Sequence, residues 1–155
     1  QERTFVTGFS NGGFMSYALA CASAGNFRAI APVAGVMSRT TWETCDPEPS
    51  VPVLHIHGTA DEVVPVTGLA SDIAGWGGAP PLESMMNFWV ERNECMQTDT
   101  LMVDAMTTSF LSTNCTSNLE IHRYSLEDWG HEWPTEDGGA SFNATELIWE
   151  FFQKY

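Results

Sequence analysis

The chain has 155 residues, of which 20 are Asp or Glu and only 6 are Lys or Arg, so its formal net charge is −14. Such an acidic surface repels phosphate backbones, which argues against nucleic acid as a partner. No apolar run approaches the roughly 18 residues of a membrane-spanning helix, so we expect no membrane insertion. The length fits a single domain over residues 1–155. The charge fits an ordinary acidic secreted protein or one adapted to saline water.

The first predicted element is a strand at residues 3–8, which runs into Gly8-Phe-Ser-Asn-Gly12 and then into a predicted helix over 11–23. A G-x-S-x-G sequence between a strand and a helix is typical of a nucleophile elbow, in which a serine sits on a sharp turn. The glycines suit a turn too tight for neighbouring side chains. Ser10 is therefore the candidate nucleophile, and the backbone N–H of Asn11 is a candidate donor to an oxyanion. By itself the pentapeptide is a weak signal.

Two later strands place an acid and a base behind this serine in the chain. The predicted strand at 51–57 is followed closely by Asp61, and the predicted strand at 119–125 is followed by His131. The order Ser10, Asp61, His131 is the order of the catalytic triad in α/β-hydrolases. Each residue follows the carboxyl end of a predicted strand, where open α/β sheets build their sites. The competing carboxylates, Asp46, Glu62 and Asp128, lack this placement. The remaining histidines, His55, His57 and His122, are predicted to be ordinary strand or core residues.

The alternation of strands and helices predicts an α/β fold with a mostly parallel sheet flanked by helices. Asn143 is predicted to cap the last helix, with Glu146 three residues on. The glycine-rich span 62–81 is predicted to be a loop near the site, and 96–114 to be a weak strand or an irregular connection. The predicted strands are 3–8, 28–34, 51–57 and 119–125, and the predicted helices are 11–23, 82–93 and 143–153.

With these motifs in order, the chain resembles the polyhydroxybutyrate depolymerase and feruloyl esterase family of secreted α/β-hydrolases. The matching segments stand in the family's order, at residues 8–17, 31–35, 55–61, 130–134 and 148–152. The resemblance implies a serine esterase acting on short-acyl, aryl or polymer esters.

No C-x-x-C and no histidine pair with zinc spacing is present in the sequence, so we expect neither a metal site nor a cofactor.

The resemblance also exposes a departure, because the family carries further strands and helices before the elbow. We therefore expect a minimal, truncated α/β-hydrolase, in which the loop that supplies the second oxyanion donor is missing. The strand at 3–8 would then be a sheet edge, which predicts a homodimer or higher homo-oligomer. A catalytically weak or inactive hydrolase-like binding module is the alternative to an esterase, and a peptidase or thioesterase on the same fold also stays open.

Four cysteines, Cys21, Cys45, Cys95 and Cys115, allow three pairings. Their places beside the predicted elements, together with the family pattern, favour disulfides 21–45 and 95–115, with buried free thiols as the alternative. Disulfides predict a secreted or periplasmic protein.

The expected roles follow from the chemistry of each side chain. Ser10 attacks the ester, His131 takes and returns the proton, and Asp61 fixes the imidazole tautomer. Trp133, two residues after His131, either lines an acyl or aryl pocket or simply packs.

Overall fold

The structure, a computed structural model, describes residues 3–70 and 77–155. Its strands are β1 (Phe5–Phe9), β2 (Ala29–Val33), β3 (Val53–Gly58), β4 (Gln97–Met102), β5 (Thr107–Thr113) and β6 (Ile121–Leu126). Its helices are α1 (Asn11–Ser23), α2 (Arg39–Thr44), α3 (Leu82–Arg92) and α4 (Ala144–Phe152), with short 3₁₀ turns at Ala24–Asn26 and Thr116–Asn118.

The strands form one sheet in the order β1-β2-β3-β6-β5-β4. The first four strands of that order are parallel, and β5 and β4 continue the sheet in antiparallel fashion. The predicted α/β class with a mostly parallel sheet is therefore confirmed. Because β1, β3 and β6 run in the same direction, the loops that follow them emerge at one edge of the sheet.

Helices cover both faces of the sheet, and each face has its own apolar core. Successive side chains of β3 alternate between the faces, so Val53 and His55 face α1 and α3 while Leu54 and Ile56 face α4. Fully burying a large apolar side chain stabilises the fold by about 1.5–3 kcal/mol. The large buried side chains from the helices include Phe14, Tyr17, Met85 and Trp89 on the first face, and Ile148, Phe151 and Phe152 on the second.

The four predicted strands and three predicted helices are all present, with ends within two residues of the predicted ones. The stretch 96–114 is a regular antiparallel hairpin of β4 and β5, with Gln97 opposite Thr113, rather than one weak strand or an irregular connection. Helix α2 was not predicted; Ser38 caps it by accepting a hydrogen bond from the Thr41 N–H at 3.2 Å. The predicted loop 62–81 includes residues 71–76, which lie outside the described residues. Its flanks meet in a bridge between Leu69 and Ala79.

Two disulfides join the pairs expected from the sequence. Cys21–Cys45 connects the last turns of α1 to the residue after α2, and Cys95–Cys115 connects the segment after α3 to the segment after β5. Asn143 caps α4 as predicted, since its side chain accepts a hydrogen bond from the Thr145 N–H at 3.0 Å. In the described part of the chain, no helix combines the length and the apolar character needed to cross a membrane.

Candidate active site

Three polar side chains meet where β1, β3 and β6 end. The Ser10 Oγ lies 2.8 Å from Nε2 of His131, and Nδ1 of the same ring lies 2.7 Å from Oδ2 of Asp61. Ser10 and His131 are half-buried, whereas Asp61 is 3% exposed. The structure thus brings together the three residues that the sequence singled out, although they are separated by 70 and 121 positions in the chain.

Ser10 stands on a strained turn between β1 and α1. Its φ of 54° and ψ of −116° fall outside the regions that a residue with a Cβ adopts comfortably. The turn is possible because backbone packs directly on backbone around it. A Cβ on Gly8 would lie 2.5 Å from the carbonyl carbon of Gly12, and a Cβ on Gly35 would collide with the carbonyl oxygen of Ser10. The absence of a side chain at Gly8 and Gly35 therefore lets the main chain pack closely enough for the serine to project from the turn.

The loops that carry the acid and the base are tied to each other by backbone hydrogen bonds. The Thr59 N–H donates to the carbonyl of Leu126 at 2.8 Å, and the Ala60 N–H donates to the carbonyl of Trp129 at 3.0 Å. These bonds extend the pairing of β3 with β6 beyond the strands, which carries Asp61 up to the His131 loop.

The carboxylate of Asp61 is held in place by several donors. Its Oδ1 accepts the backbone N–H groups of Val63 and Val64 at 2.9 and 2.8 Å. Burial by itself raises the pKa of Asp61, but His57, the Val64 N–H and His131 outweigh burial and lower the pKa to about 2. The ionised carboxylate can only accept hydrogen bonds, so His131 carries its proton on Nδ1 and leaves Nε2 free to accept from the Ser10 hydroxyl.

The other two predicted site residues border this triad of side chains. Asn11 is the first residue of α1, so its backbone N–H has no acceptor within the helix. Trp133 is half-buried and packs edge-on against Phe9 at 6.3 Å, and Phe9 in turn lies 4.7 Å from the His131 ring. Among the residues that the structure describes, no group of three or more His, Cys, Asp or Glu side chains could hold a metal ion.

Sequence reasoning missed the polar network behind the site. His55 and His57 are buried, as expected for core histidines, but they also form a row of hydrogen bonds that leads from Tyr17 to the Asp61 loop. Their spacing of two residues on one strand face was the only available sequence signal. The contribution of Tyr17 comes from another element and carries no such signal.

Comparison with known proteins finds esterases that are similar to this chain. Feruloyl esterase C of Emericella nidulans is 32% identical over 152 residues, which are 98% of this chain and 50% of that protein. A probable feruloyl esterase C of Aspergillus niger is 40% identical over 160 residues, with the same coverage. The family model for phospholipases and carboxylesterases matches residues 1–71. The crystal structure of esterase PE8 superposes with a TM-score of 0.55 at 18% identity, covering 96% of this chain and 50% of the other.

The chain has the α/β-hydrolase fold. The family resemblance and the fold class inferred from the sequence are therefore confirmed. The chain spans about half the length of the relatives it matches.

Proposed function

We propose that this α/β-hydrolase is a serine carboxylesterase that acts through Ser10, His131 and Asp61. The observation that carries the proposal is the continuous hydrogen-bonded row from the Ser10 Oγ through the imidazole to the Asp61 carboxylate, at 2.8 and 2.7 Å. The strained backbone of Ser10 adds support, because strain of this kind is concentrated at functional sites. The related proteins are named feruloyl esterases, which also supports ester hydrolysis as the reaction.

In the proposed acylation step, the Ser10 Oγ attacks the ester carbonyl carbon while its proton moves to Nε2 of His131. The carbonyl electron pair moves onto oxygen, and the Asn11 N–H donates to that oxyanion. Asp61 stabilises the imidazolium without taking its proton. The intermediate then collapses: the carbonyl re-forms, the bond to the alcohol oxygen breaks, and His131 returns the proton to the leaving alcohol.

In the proposed deacylation step, a water molecule takes the place of the alcohol. His131 removes a proton from the water as the water oxygen attacks the acyl carbon, and the second tetrahedral intermediate expels the Ser10 oxygen, which recovers its proton from His131. The products are a carboxylic acid and an alcohol, and the protein returns to its starting state.

We propose esters with short acyl chains as substrates. A groove beside Asn11, lined also by Phe14, Met15 and Ser38, has a volume of about 150 Å³. Pockets for drug-sized ligands typically have about 300–1,000 Å³, so this groove suits a small acyl group. Trp133 is the proposed aromatic contact for an aryl group of the ester, supported by its packing on Phe9, which in turn lies beside the His131 ring.

The proposal is tested by labelling and turnover. A fluorophosphonate probe should form an adduct on Ser10, and the protein should hydrolyse p-nitrophenyl butyrate and methyl ferulate. Ser10→Ala should lose the label and the turnover, whereas Ser84→Ala, an exposed serine on α3, should keep both. A wild-type protein that is folded but neither labelled nor active would favour the alternative of an inactive hydrolase-like module.

We further propose that the protein is extracellular or periplasmic and self-associates. The two disulfides support the first proposal, because disulfides persist in oxidising compartments. For the second, β1 lies at the edge of the sheet and, among the described residues, pairs only with β2. An open strand edge is a template for another strand, here one from a second copy. Light scattering of the active protein that gives the mass of one chain would contradict self-association.

A further inference from the structure

A row of buried side chains runs behind the triad, from the interior of α1 to the Asp61 loop. The Tyr17 hydroxyl lies 2.8 Å from Nδ1 of His55, and Nε2 of His55 lies 3.0 Å from Nδ1 of His57. Nε2 of His57 lies 2.8 Å from the carbonyl oxygen of Val64 and 3.4 Å from Oδ2 of Asp61. Tyr17 and His55 are fully buried and His57 is 2% exposed, so the row has no access to solvent.

The Val64 carbonyl fixes which atom donates and which accepts in each hydrogen bond of this row. A carbonyl can only accept, so Nε2 of His57 must carry a proton, and with neutral rings its Nδ1 is then an acceptor. His55 must in turn donate from Nε2 and accept at Nδ1, which leaves the Tyr17 O–H as the donor that starts the row. Burial, followed by the nearby His57 and Arg123, holds the pKa of His55 well below its ordinary value, which favours the neutral ring.

We infer that His57 is a positioning residue for Asp61, and that His55 and Tyr17 hold His57 in the required tautomer and orientation. The inference rests on the proposed function of the triad. The same carboxylate oxygen, Oδ2, lies 2.7 Å from the His131 ring and 3.4 Å from the His57 ring. The His57 N–H also reaches the Val64 carbonyl, so one group connects β3 to both ends of the 61–64 loop.

This arrangement restricts the rotation of the carboxylate. The N–H groups of Val63 and Val64 hold Oδ1 from one side, and His57 approaches Oδ2 from the strand. Without His57 the carboxylate can turn away from His131, and the imidazole then loses the partner that orients it toward Ser10. A displacement of about 1 Å in such a group can lower the rate by roughly 10²-fold.

The test compares three variants in the protein that carries this sequence. His57→Leu removes the N–H, His57→Gln keeps an amide N–H near the position of Nε2, and Tyr17→Phe removes only the hydroxyl that starts the row. Tyr17→Phe preserves the ring that stacks on Trp89 at 5.7 Å. His122→Gln is the matched control, because His122 is a half-buried β6 histidine that bonds Ser109 at 2.9 Å, away from the row.

We expect kcat to fall about 10²-fold in His57→Leu with KM unchanged, because His57 does not face the substrate. His57→Gln should recover most of the loss, Tyr17→Phe should lose a few-fold, and His122→Gln should match the wild type. Ring-nitrogen NMR should find His55 and His57 protonated at Nε2 and bare at Nδ1. The downfield proton of His131 Nδ1 should shift in His57→Leu.

Two results would overturn the inference. One is a folded His57→Leu with wild-type kcat and an unmoved His131 resonance. The other is a wild-type His57 protonated at Nδ1, which contradicts the direction of the row. If His57→Leu does not fold, Tyr17→Phe is the test variant. An unchanged His55 tautomer together with an unchanged kcat in Tyr17→Phe would then contradict the proposed role of the row. The NMR readouts do not require turnover, so they separate failure of this inference from failure of the esterase proposal.

Discussion

Replacing Asp61 by Asn should change how the stability of the fold depends on pH. Burial alone raises the pKa of Asp61, but His57, the Val64 N–H and His131 bring it down to about 2, against an ordinary value of 3.8. Because the pKa is lower in the folded state, the ionised carboxylate stabilises the fold at pH values above 3.8. This stabilisation is lost as the pH falls toward the folded-state pKa.

The size of the effect follows from the two pKa values. Their difference, at about 1.36 kcal/mol per unit, gives about 2 kcal/mol of unfolding free energy. Asp61 is 3% exposed, so solvent screening reduces this little. Roughly 1 kcal/mol of it should disappear between about pH 5 and pH 3, and the rest at still lower pH.

Urea unfolding of the wild type and of Asp61→Asn across that range measures the effect. The other carboxylates are common to both proteins, so they cancel in the difference, and the stability gap should shrink by about 1 kcal/mol toward pH 3. Glu62→Gln makes the same charge change at the exposed neighbouring residue and serves as the matched control for the loss of one negative charge. A stability difference between the wild type and Asp61→Asn that stays constant from about pH 5 to pH 3 would refute the proposed stabilisation by ionised Asp61.

Three further outcomes are expected. His131→Ala should lower kcat on p-nitrophenyl butyrate by about 10⁴-fold or more. Its circular dichroism spectrum should stay native, because the His131 side chain lies on a loop. Near-normal turnover by this variant would contradict the assignment of His131 to the triad. Cys21→Ser/Cys45→Ser opens a loop with a sequence separation of 24 and should lower the unfolding free energy by about 3 kcal/mol in urea titrations. Butyryl esters should have a higher kcat/KM than lauroyl esters, and the reverse order would contradict the small groove beside Asn11.

The site could be predicted from the sequence because each triad residue has a local signal. The elbow glycines indicate Ser10. A fully buried strand precedes the Asp61 loop, and a strand whose buried residues are its two apolar ends precedes the His131 loop. The parallel direction of those strands, itself readable from the strand–helix alternation, brings their ends to one edge. The three-dimensional meeting of the residues therefore follows from local patterns and one topological rule.

The features that escaped prediction lack such local patterns. The sequence of β4 does not alternate between apolar and polar residues, and all of its residues are exposed. Its strand geometry comes from pairing with β5. Helix α2 is only six residues long, too short for a clear helical period, although Ser38 is an ordinary cap residue. The bond between Tyr17 and His55 spans 38 positions and depends on how α1 lies on the sheet.

The backbone packing around the elbow limits how this protein can be diversified. Gly8 and Gly35 each stand where a methyl group would strike main-chain atoms, and a Cβ on Gly13 would lie 2.9 Å from the Cα of Gly35. Main chain cannot yield in the way a flexible side chain can, so random libraries should return glycine at these positions whichever ester is selected for. Met15, 55% exposed on the outer face of α1, is free of that restriction. Directed evolution of new substrate ranges should therefore succeed along the groove and fail at the turn itself.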